Sequence, residues 1–297
     1  MSRSSSSRAN RRGEPPPSPE PLPSPALDSH THLDIVLGER PADGHGNWPS
    51  ADDVDAEIEA AAAVGIPRLV QVGVDVASSR WSADLAARHP NVLAAVAIHP
   101  NEAGEGRVDE EALAEIDRLA ALPRVRAVGE TGLDRFRTVP DGWAAQEASF
   151  RAHIRMAKAH GIALVIHDRE AHAEILAVLE DEGPPEHTVF HCFSGDAAFA
   201  RACAERGFVL SFAGTLTFGN AAYLREAAAL TPVDQLLVET DAPFLTPMPH
   251  RGRPNASRLV PLTVRALSEV TGVELEELCA TLTKTAERVF GKWEDMS

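Results

Sequence analysis

Cysteine is scarce in this chain of 297 residues. Its three cysteines, Cys192, Cys203 and Cys279, form neither a CxxC pair nor an even set. Small secreted domains depend on paired cysteines for stability, so this usage excludes a disulfide framework. The sequence therefore favours a reducing compartment, and we expect a cytoplasmic protein.

Long apolar runs are also absent. No stretch approaches the ~20 apolar residues that a membrane-spanning helix needs. The chain begins "MSRSSSSRANRR", and no apolar segment follows these arginines as it would in a secretory signal. The sequence predicts no membrane partner, and it shows no sign of an obligate protein partner.

Positive charge is in short supply. Lysine and arginine number 28 against 44 aspartates and glutamates, which gives a formal net charge of -16. Proteins that bind duplex DNA regardless of sequence rely on many Lys and Arg contacts to phosphate, so the charge balance argues against that class. It leaves open a small or single-stranded substrate whose phosphate is held by metal ions and a few arginines.

The first 26 residues contain almost nothing that a core could bury. A Ser- and Arg-rich start is followed by "EPPPSPEPLPSPA". Segments of this composition cannot offset the entropy lost on ordering. The sequence therefore predicts a disordered tail over residues 1–26 and one domain over residues 27–291.

From Leu27 onward, short apolar runs alternate with longer stretches at helical spacing. The predicted strands are 26–32, 68–72, 92–98, 125–130, 163–167, 188–191, 208–212 and 235–239. The predicted helices are 51–64, 78–88, 109–120, 144–160, 170–182, 197–206, 221–229 and 257–270. Eight strand–helix units are the count of an α/β protein of the (β/α)8 TIM barrel class, with an extra C-terminal helix at 275–290. An open doubly wound sheet is the alternative, but no GxGxxG follows the first strand.

Residue types that bind metals follow several of these apolar runs directly. In "LDSHTHLD", His30 and His32 would point to the same side of a strand, as two ligands of one metal ion do, and a polar turn is the alternative for this motif by itself. The carboxyl ends of barrel strands share one rim, where catalytic residues gather. Six side chains are therefore expected to converge there, namely His30, His32, Glu130, His167, His191 and Asp241.

Four imidazoles and two carboxylates are more than one tetrahedral ion needs. They suit two divalent ions ~3.5–4 Å apart that share a carboxylate, and Glu130 is the natural bridge. These donor types admit Zn, Mn or Ni, and Mg with weaker preference.

Five motifs in order resemble those of the TatD-type metal-dependent deoxyribonucleases, within the amidohydrolase superfamily. They are "DSHTHLD", "VGETGLD", "VIHDRE", "HCFSG" and "ETDAPFLTP", and the resemblance runs from about residue 27 to residue 291. It implies a barrel with a two-metal hydrolytic centre that cleaves DNA, from single-stranded, damaged or 3′ ends. It also implies a ligand set in which His30, His32 and Asp241 hold one ion, His167 and His191 hold the other, and Glu130 bridges.

The chain departs from the pattern of that family at three places. Asn101 in "AIHPN" stands where a second histidine is common, and Arg135 in "GLDRFR" replaces an aromatic residue. Thr285 in "TKTAERVFG" stands where asparagine is usual. None of these changes removes a predicted ligand. The first two fall where substrate would lie, and the third concerns packing of the last helix.

The two carboxylates of the predicted centre are expected to be catalytic. Asp241 can both bind an ion and accept the proton of the nucleophile, so it is the general-base candidate, and Glu130 is the bridging group. Glu239 lies two residues before Asp241 and would point the same way. It either joins the centre or holds a ligand histidine in its correct tautomer.

Substrate contacts are expected from His99, at the rim end of the third strand, and from Arg251 and Arg253 in "HRGRPN". Arginine suits phosphate because its guanidinium can donate two parallel hydrogen bonds. Phe136 could stack on an unpaired base, or simply pack at the rim. Other histidines, His153 among them, are expected at the surface.

Three classes of function follow from these residues. One is a two-metal phosphodiesterase acting on DNA, and another is a hydrolase of the same fold acting on a small ester, amide or phosphoester. The third is a binding protein on a decayed barrel, which the presence of all six ligand residues argues against. The arginines of "HRGRPN" favour a phosphate substrate.

Overall fold

Eight short parallel strands form the centre of the molecule, and a helix layer surrounds them. The computed structural model describes residues 13–38 and 48–293. The strands pair in chain order, from β1 to β8, and a parallel bridge between Thr31 and Ala242 joins the two ends of the sheet. The predicted (β/α)8 TIM barrel is confirmed. The strands are β1 (Asp28–Thr31), β2 (Leu69–Val72), β3 (Val92–Val96), β4 (Val125–Asp134), β5 (Ala163–Arg169), β6 (Thr188–Phe190), β7 (Val209–Phe212) and β8 (Leu236–Val238).

Helices alternate with the strands along the chain. They are α1 (Leu33–Val36), α2 (Ala51–Ala62), α3 (Val76–Arg88), α4 (Pro100–Gly104), α5 (Glu110–Ala120), α6 (Trp143–His160), α7 (His172–Glu182), α8 (Ala197–Glu205), α9 (Ala222–Leu230), α10 (Val260–Thr271) and α11 (Leu275–Phe290). Among the described residues, no helix combines the length and apolar character that crossing a bilayer requires. The extra C-terminal helix is α11, and buried Thr285 donates to the Asp234 carbonyl at 3.2 Å, which ties α11 to the start of β8.

The core strands are buried on both faces, as in barrels whose strands lie between side-chain layers and helices. Every residue of β2 and β3 is buried, and their register pairs Leu69 with Val92 and Val72 with Ala95. Branched and small apolar side chains pack well on such a surface, which is why these runs are strands.

The strands β4 and β5 extend beyond their predicted ends at residues 130 and 167. Gly132 permits this, because its φ of +141° is open mainly to glycine and a Cβ there would lie 2.1 Å from the His167 carbonyl oxygen. The paired register therefore continues to Asp134 opposite Arg169. As a result, the backbone pairing of β4 with β5 continues past Glu130 and includes His167.

The segment before β1 packs against the barrel. Leu22 and Ala26 are buried, and their amides donate to the carbonyls of Val64 and Gly65 at 3.1 and 2.9 Å. Arg265 donates to two carbonyls of the same segment. The predicted disordered tail over residues 1–26 is thus wrong for residues 20–26. Buried apolar side chains and backbone groups that both donate and accept hydrogen bonds hold this segment on the barrel. Residues 1–12 of that tail lie outside the described residues.

His153 on α6 is fully buried, and the prediction of a surface position is wrong. Its Nε2 accepts the Ile98 N–H at 3.1 Å, and its Nδ1 lies 2.7 Å from the Ser149 carbonyl oxygen, to which it donates. Both ring nitrogens are therefore satisfied in the neutral form. The ring joins α6 to the end of β3, directly before His99.

We expect His153 to make folding stability fall in acid. Burial lowers the pKa of His153 from 6.5 to about 4, so between these values the unfolded chain binds the proton and the folded chain does not. Once the pH has fallen below both pKa values, this difference in proton binding lowers the free energy of unfolding by about 3 kcal/mol. Denaturant unfolding of metal-free protein from pH 7 to pH 4 should show a steeper loss in the wild type than in His153→Gln. Parallel curves for the two proteins would contradict this role, since all other titrating groups are shared.

Candidate metal centre

The structure brings the six predicted ligand residues to one end of the barrel. His30, Glu130 and His167 lie on strands, while His32, His191 and Asp241 follow strand ends directly or within a few residues. All lie in the carboxyl-terminal halves of their strands or directly beyond them, toward the end where the loops of a (β/α)8 barrel meet. Groups separated by up to 211 positions in the chain thus share one mouth.

Glu130 stands between two groups of histidines, and each of its oxygens faces a different group. Its Oε1 lies 3.6 Å from the Nε2 atoms of both His30 and His32. Its Oε2 lies 2.8 Å from His191 Nε2 and 3.1 Å from His167 Nδ1. A carboxylate placed in this way can give one oxygen to each of two ions.

His30 and His32 aim their Nε2 atoms at the same point, 3.3 Å apart. Two nitrogens bound to one tetrahedral zinc ion at 2.0–2.1 Å would be about 3.4 Å apart, so the separation fits a shared ion. The His32 Nδ1 lies 3.0 Å from the Val72 carbonyl and donates to it, which leaves the Nε2 lone pair directed at the centre. Asp241 Oδ1 lies 3.5 Å from the same Nε2.

His30 supports the same interpretation by what it lacks. Its ring is fully buried, and its Nδ1 has no hydrogen-bond partner within the described part of the chain. A buried polar atom without a partner is costly, so burial of this ring needs a compensating interaction, and only its Nε2 faces other donor atoms. Together with the converging donors, this shows that the residues fit a metal centre.

Glu239 holds His191 in place. Its Oε1 lies 3.2 Å from His191 Nδ1 and accepts the Cys192 N–H at 2.8 Å. With the proton on Nδ1, His191 presents its Nε2 lone pair to the centre. Of the two roles considered for Glu239, the geometry favours positioning.

Asp134 is a member of the centre that sequence reasoning missed. Its Oδ2 lies 3.3 Å from His167 Nε2, while its Oδ1 accepts the N–H groups of Phe136 and Arg137. Burial raises the pKa of Asp134, but the hydrogen bonds from His167 and from the Arg137 N–H outweigh burial and lower it to about 2. The signal was available, because Asp134 lies four residues after Glu130 in "ETGLD" and so on the same side of an extended strand.

His99 faces the centre as a hydrogen-bond donor. Its Nδ1 accepts the Asn101 N–H at 3.0 Å at the start of α4, and burial lowers the pKa of His99 to about 3. The ring is therefore neutral, and its one proton lies on Nε2, 3.6 Å from Glu130 Oε2. Although its spacing from Glu130 and His167 resembles that of a ligand, this tautomer offers an N–H and not a lone pair.

The centre is strongly negative. Burial lowers the pKa of His191, but the charges of Glu130 and Glu239 raise it well above its ordinary value. Burial likewise lowers the pKa of His32, while the hydrogen bond to Asp241 and the charge of Glu130 raise it to about 9. Carboxylates that draw protons onto neighbouring imidazoles in this way also attract divalent cations, which compete for the same lone pairs.

Arg251 and Arg253 lie in the loop after β8, and the structure shows no contact between either guanidinium and the six ligand residues. The Arg251 Cζ lies 4.3 Å from the centre of the Phe218 ring. The Asn255 side chain donates to the Thr240 carbonyl at 3.0 Å and so ties this loop to the segment that carries Asp241. The predicted contact of both arginines with the substrate therefore stays a prediction.

A (β/α)8 barrel with clustered histidines and carboxylates at the carboxyl ends of its strands defines a metal-dependent hydrolase. The family model described as TatD related DNase matches residues 27–291. The chain belongs to this family.

Similar proteins agree with this assignment. An uncharacterized metal-dependent hydrolase TatD of Mycobacterium tuberculosis is 45% identical over 89% of this chain and 97% of its own length. A 3'-5' ssDNA/RNA exonuclease TatD of Citrobacter rodentium is 33% identical over 80% of this chain and 92% of its own. The crystal structure of YJJV, a TatD homologue of Escherichia coli, superimposes with a TM-score of 0.80 at 24% identity, covering 90% and 98% of the two chains, and shows the shared fold.

Proposed function

We propose that this protein is a two-metal phosphodiesterase that removes nucleotides from single-stranded DNA, starting at a 3′ end. The observation that carries the proposal is the division of the Glu130 oxygens between two histidine groups. The relative from Citrobacter rodentium, named as a 3'-5' ssDNA/RNA exonuclease, supports the substrate and the polarity.

The residues around the centre fit this chemistry. His30, His32 and Asp241 would hold one ion, His167 and His191 the other, with Glu130 shared. When bound, two divalent ions such as Zn, Mn, Ni or Mg activate a water molecule and neutralise charge on the phosphate.

Protein groups supply the remaining steps of the proposed reaction. Asp241 has a partly exposed carboxylate beside His32 and accepts the proton that the attacking water loses. The His99 N–H donates to a non-bridging phosphate oxygen, which gains charge during the attack. Arg251 and Arg253 attract the phosphates of the incoming strand.

We expect hydrolysis to depend entirely on added metal. Metal-stripped protein would be given Mg, Mn, Ni or Zn and mixed with single-stranded oligonucleotides labelled at the 5′ end, with a duplex of the same sequence in parallel. A ladder that shortens one nucleotide at a time from the 3′ end is the expected result, with little cleavage of the duplex.

Other products would change the proposal in a defined way. Release of the labelled 5′ mononucleotide first would contradict the polarity, and equal cleavage of RNA would widen the substrate. Hydrolysis of a simple ester or amide without cleavage of any oligonucleotide would overturn the nuclease and leave a hydrolase with the same centre.

A further inference from the structure

An exposed phenylalanine lies at the rim of the barrel, next to an arginine. Phe136 follows β4 and is 60% exposed. The Arg169 Cζ at the end of β5 lies 4.7 Å from the centre of the Phe136 ring. The guanidinium covers one face of the ring, so the high exposure belongs to the other face.

The same carboxylate that faces His167 also holds the backbone of Phe136. Asp134 Oδ1 accepts the Phe136 and Arg137 N–H groups at 3.0 and 2.7 Å, while Oδ2 faces His167. The Arg135 N–H donates to the Arg169 carbonyl at 2.9 Å, which carries the β4–β5 ladder one step further. These hydrogen bonds fix the backbone of Phe136 and Arg169 at the carboxyl ends of β4 and β5, and Asp134 links that backbone to His167.

The arginines near Phe136 differ in whether a carboxylate lies beside them. Arg135 stacks on Trp143 at 4.5 Å and has Glu174 within 3.5 Å, so its charge is balanced. Within residues 13–38 and 48–293, no carboxylate lies within ion-pair distance of Arg137 or Arg169. The chain as a whole carries a net charge of -16. Two guanidinium groups without a carboxylate partner are therefore unusual in it, and they favour the binding of an anion.

An open aromatic face next to unbalanced arginines has the chemistry of a single-strand platform. Every nucleobase has a flat face that can stack on an aromatic side chain, and arginine adds both phosphate contact and cation–π attraction. An apolar ligand stacked on this ring would gain nothing from neighbouring guanidinium groups. The combination favours a nucleotide over an apolar ligand.

We propose that the open face of Phe136 stacks one unpaired nucleobase of the substrate strand, while Arg169 and Arg137 contact the adjacent phosphate. This inference rests on the proposed function, since it names how that same centre receives its strand. A base stacked on the barrel wall cannot remain paired, so the subsite requires a single-stranded end. Phe136 thereby becomes a residue that determines specificity.

The test is a binding cycle that removes the Phe136 side chain and one nucleobase, singly and together, and compares the dissociation constants. Single-stranded oligonucleotides would carry one abasic residue, moved stepwise through the last four positions at the 3′ end, and dissociation constants would be measured by fluorescence anisotropy with metal-stripped protein. We expect Phe136→Ala to weaken binding of the intact strand about 5- to 100-fold. The loss should vanish when the abasic residue occupies the stacked position.

Two further variants make the result specific. Phe136→Trp should bind the intact strand at least as tightly as the wild type, because a larger ring offers more stacking surface. Leu230→Ala, at an apolar residue of 40% exposure on the far end of α9, should leave binding unchanged. A loss that is the same for every abasic strand, or no loss at all, would overturn the stacking subsite.

Cleavage assays separate this inference from the proposed function. If the wild type cleaves oligonucleotides, Phe136→Ala should raise KM with little change in kcat, as for a contact made equally before and during reaction. If no oligonucleotide is cleaved with any metal, the nuclease is excluded while the binding cycle still decides the subsite. Coupling at one position would support it, and absence of coupling would overturn it.

Discussion

Replacing Glu130 with glutamine should abolish the proposed two-metal centre while leaving the barrel folded. The amide has nearly the shape of the carboxylate, but it carries no charge and has only one oxygen to offer. The structure places the Glu130 oxygens 3.6 Å from His30 and His32 on one side and 2.8 Å from His191 on the other. We expect bound metal to fall from two ions per chain to one or fewer, and kcat to fall about 1000-fold or more.

Metal analysis by mass spectrometry together with steady-state kinetics measures both effects. Glu180→Gln is the matched control, because Glu180 is an exposed carboxylate on α7, and this variant should keep the metal content and activity of the wild type. Circular dichroism would confirm that both variants are folded. A Glu130→Gln protein that retained two ions and normal turnover would rule out the bridging role.

The barrel could be predicted from the sequence because its local signals agree with each other. Each buried strand is a short run of apolar residues, and helical spacing follows at once, so that periodicity alone separates the units. Metal-ligand residues end several of these runs, which places them at one rim for purely topological reasons. The convergence of His30 with His191 therefore needed no knowledge of distances.

Other features depend on contacts that no local pattern reveals. Leu22 is an isolated apolar residue in a Pro-rich segment, and its packed position depends on distant partners, namely the core that buries its side chain and the Val64 carbonyl that accepts its N–H. His153 looks like a surface residue of an amphipathic helix until the Ile98 N–H occupies its ring nitrogen. Asp134 was missed because the predicted fourth strand ended at Glu130, whereas β4 continues to Asp134.

Replacing Gly132 with alanine should damage both the fold and the centre. A Cβ at this position would lie 2.1 Å from the His167 carbonyl oxygen, and the φ of +141° is strained for any residue with a side chain. The carbonyl belongs to the backbone of β5, so relief requires β4 and β5 to move apart. Backbone strain and overpacking together are expected to lower the free energy of unfolding by about 3 kcal/mol or more.

The same displacement should act selectively on one half of the centre. His167 would move away from Glu130 and Asp134, whereas His30 and His32 lie on the opposite side of the Glu130 carboxylate and would be less disturbed. We therefore expect the Gly132→Ala protein to bind one metal ion per chain more tightly than a second ion. Its catalytic activity should fall in proportion to the fraction of chains that lack the second ion.

Thermal unfolding and metal titration of Gly132→Ala test this expectation against Gly219→Ala. Gly219 is exposed, and no atom lies within 4 Å of the Cβ that alanine would add, so that variant should match the wild type in both measurements. Normal stability and two bound ions in Gly132→Ala would show that β4 and β5 separate at little cost. The close approach of the two strands would then not be what holds His167 in the centre.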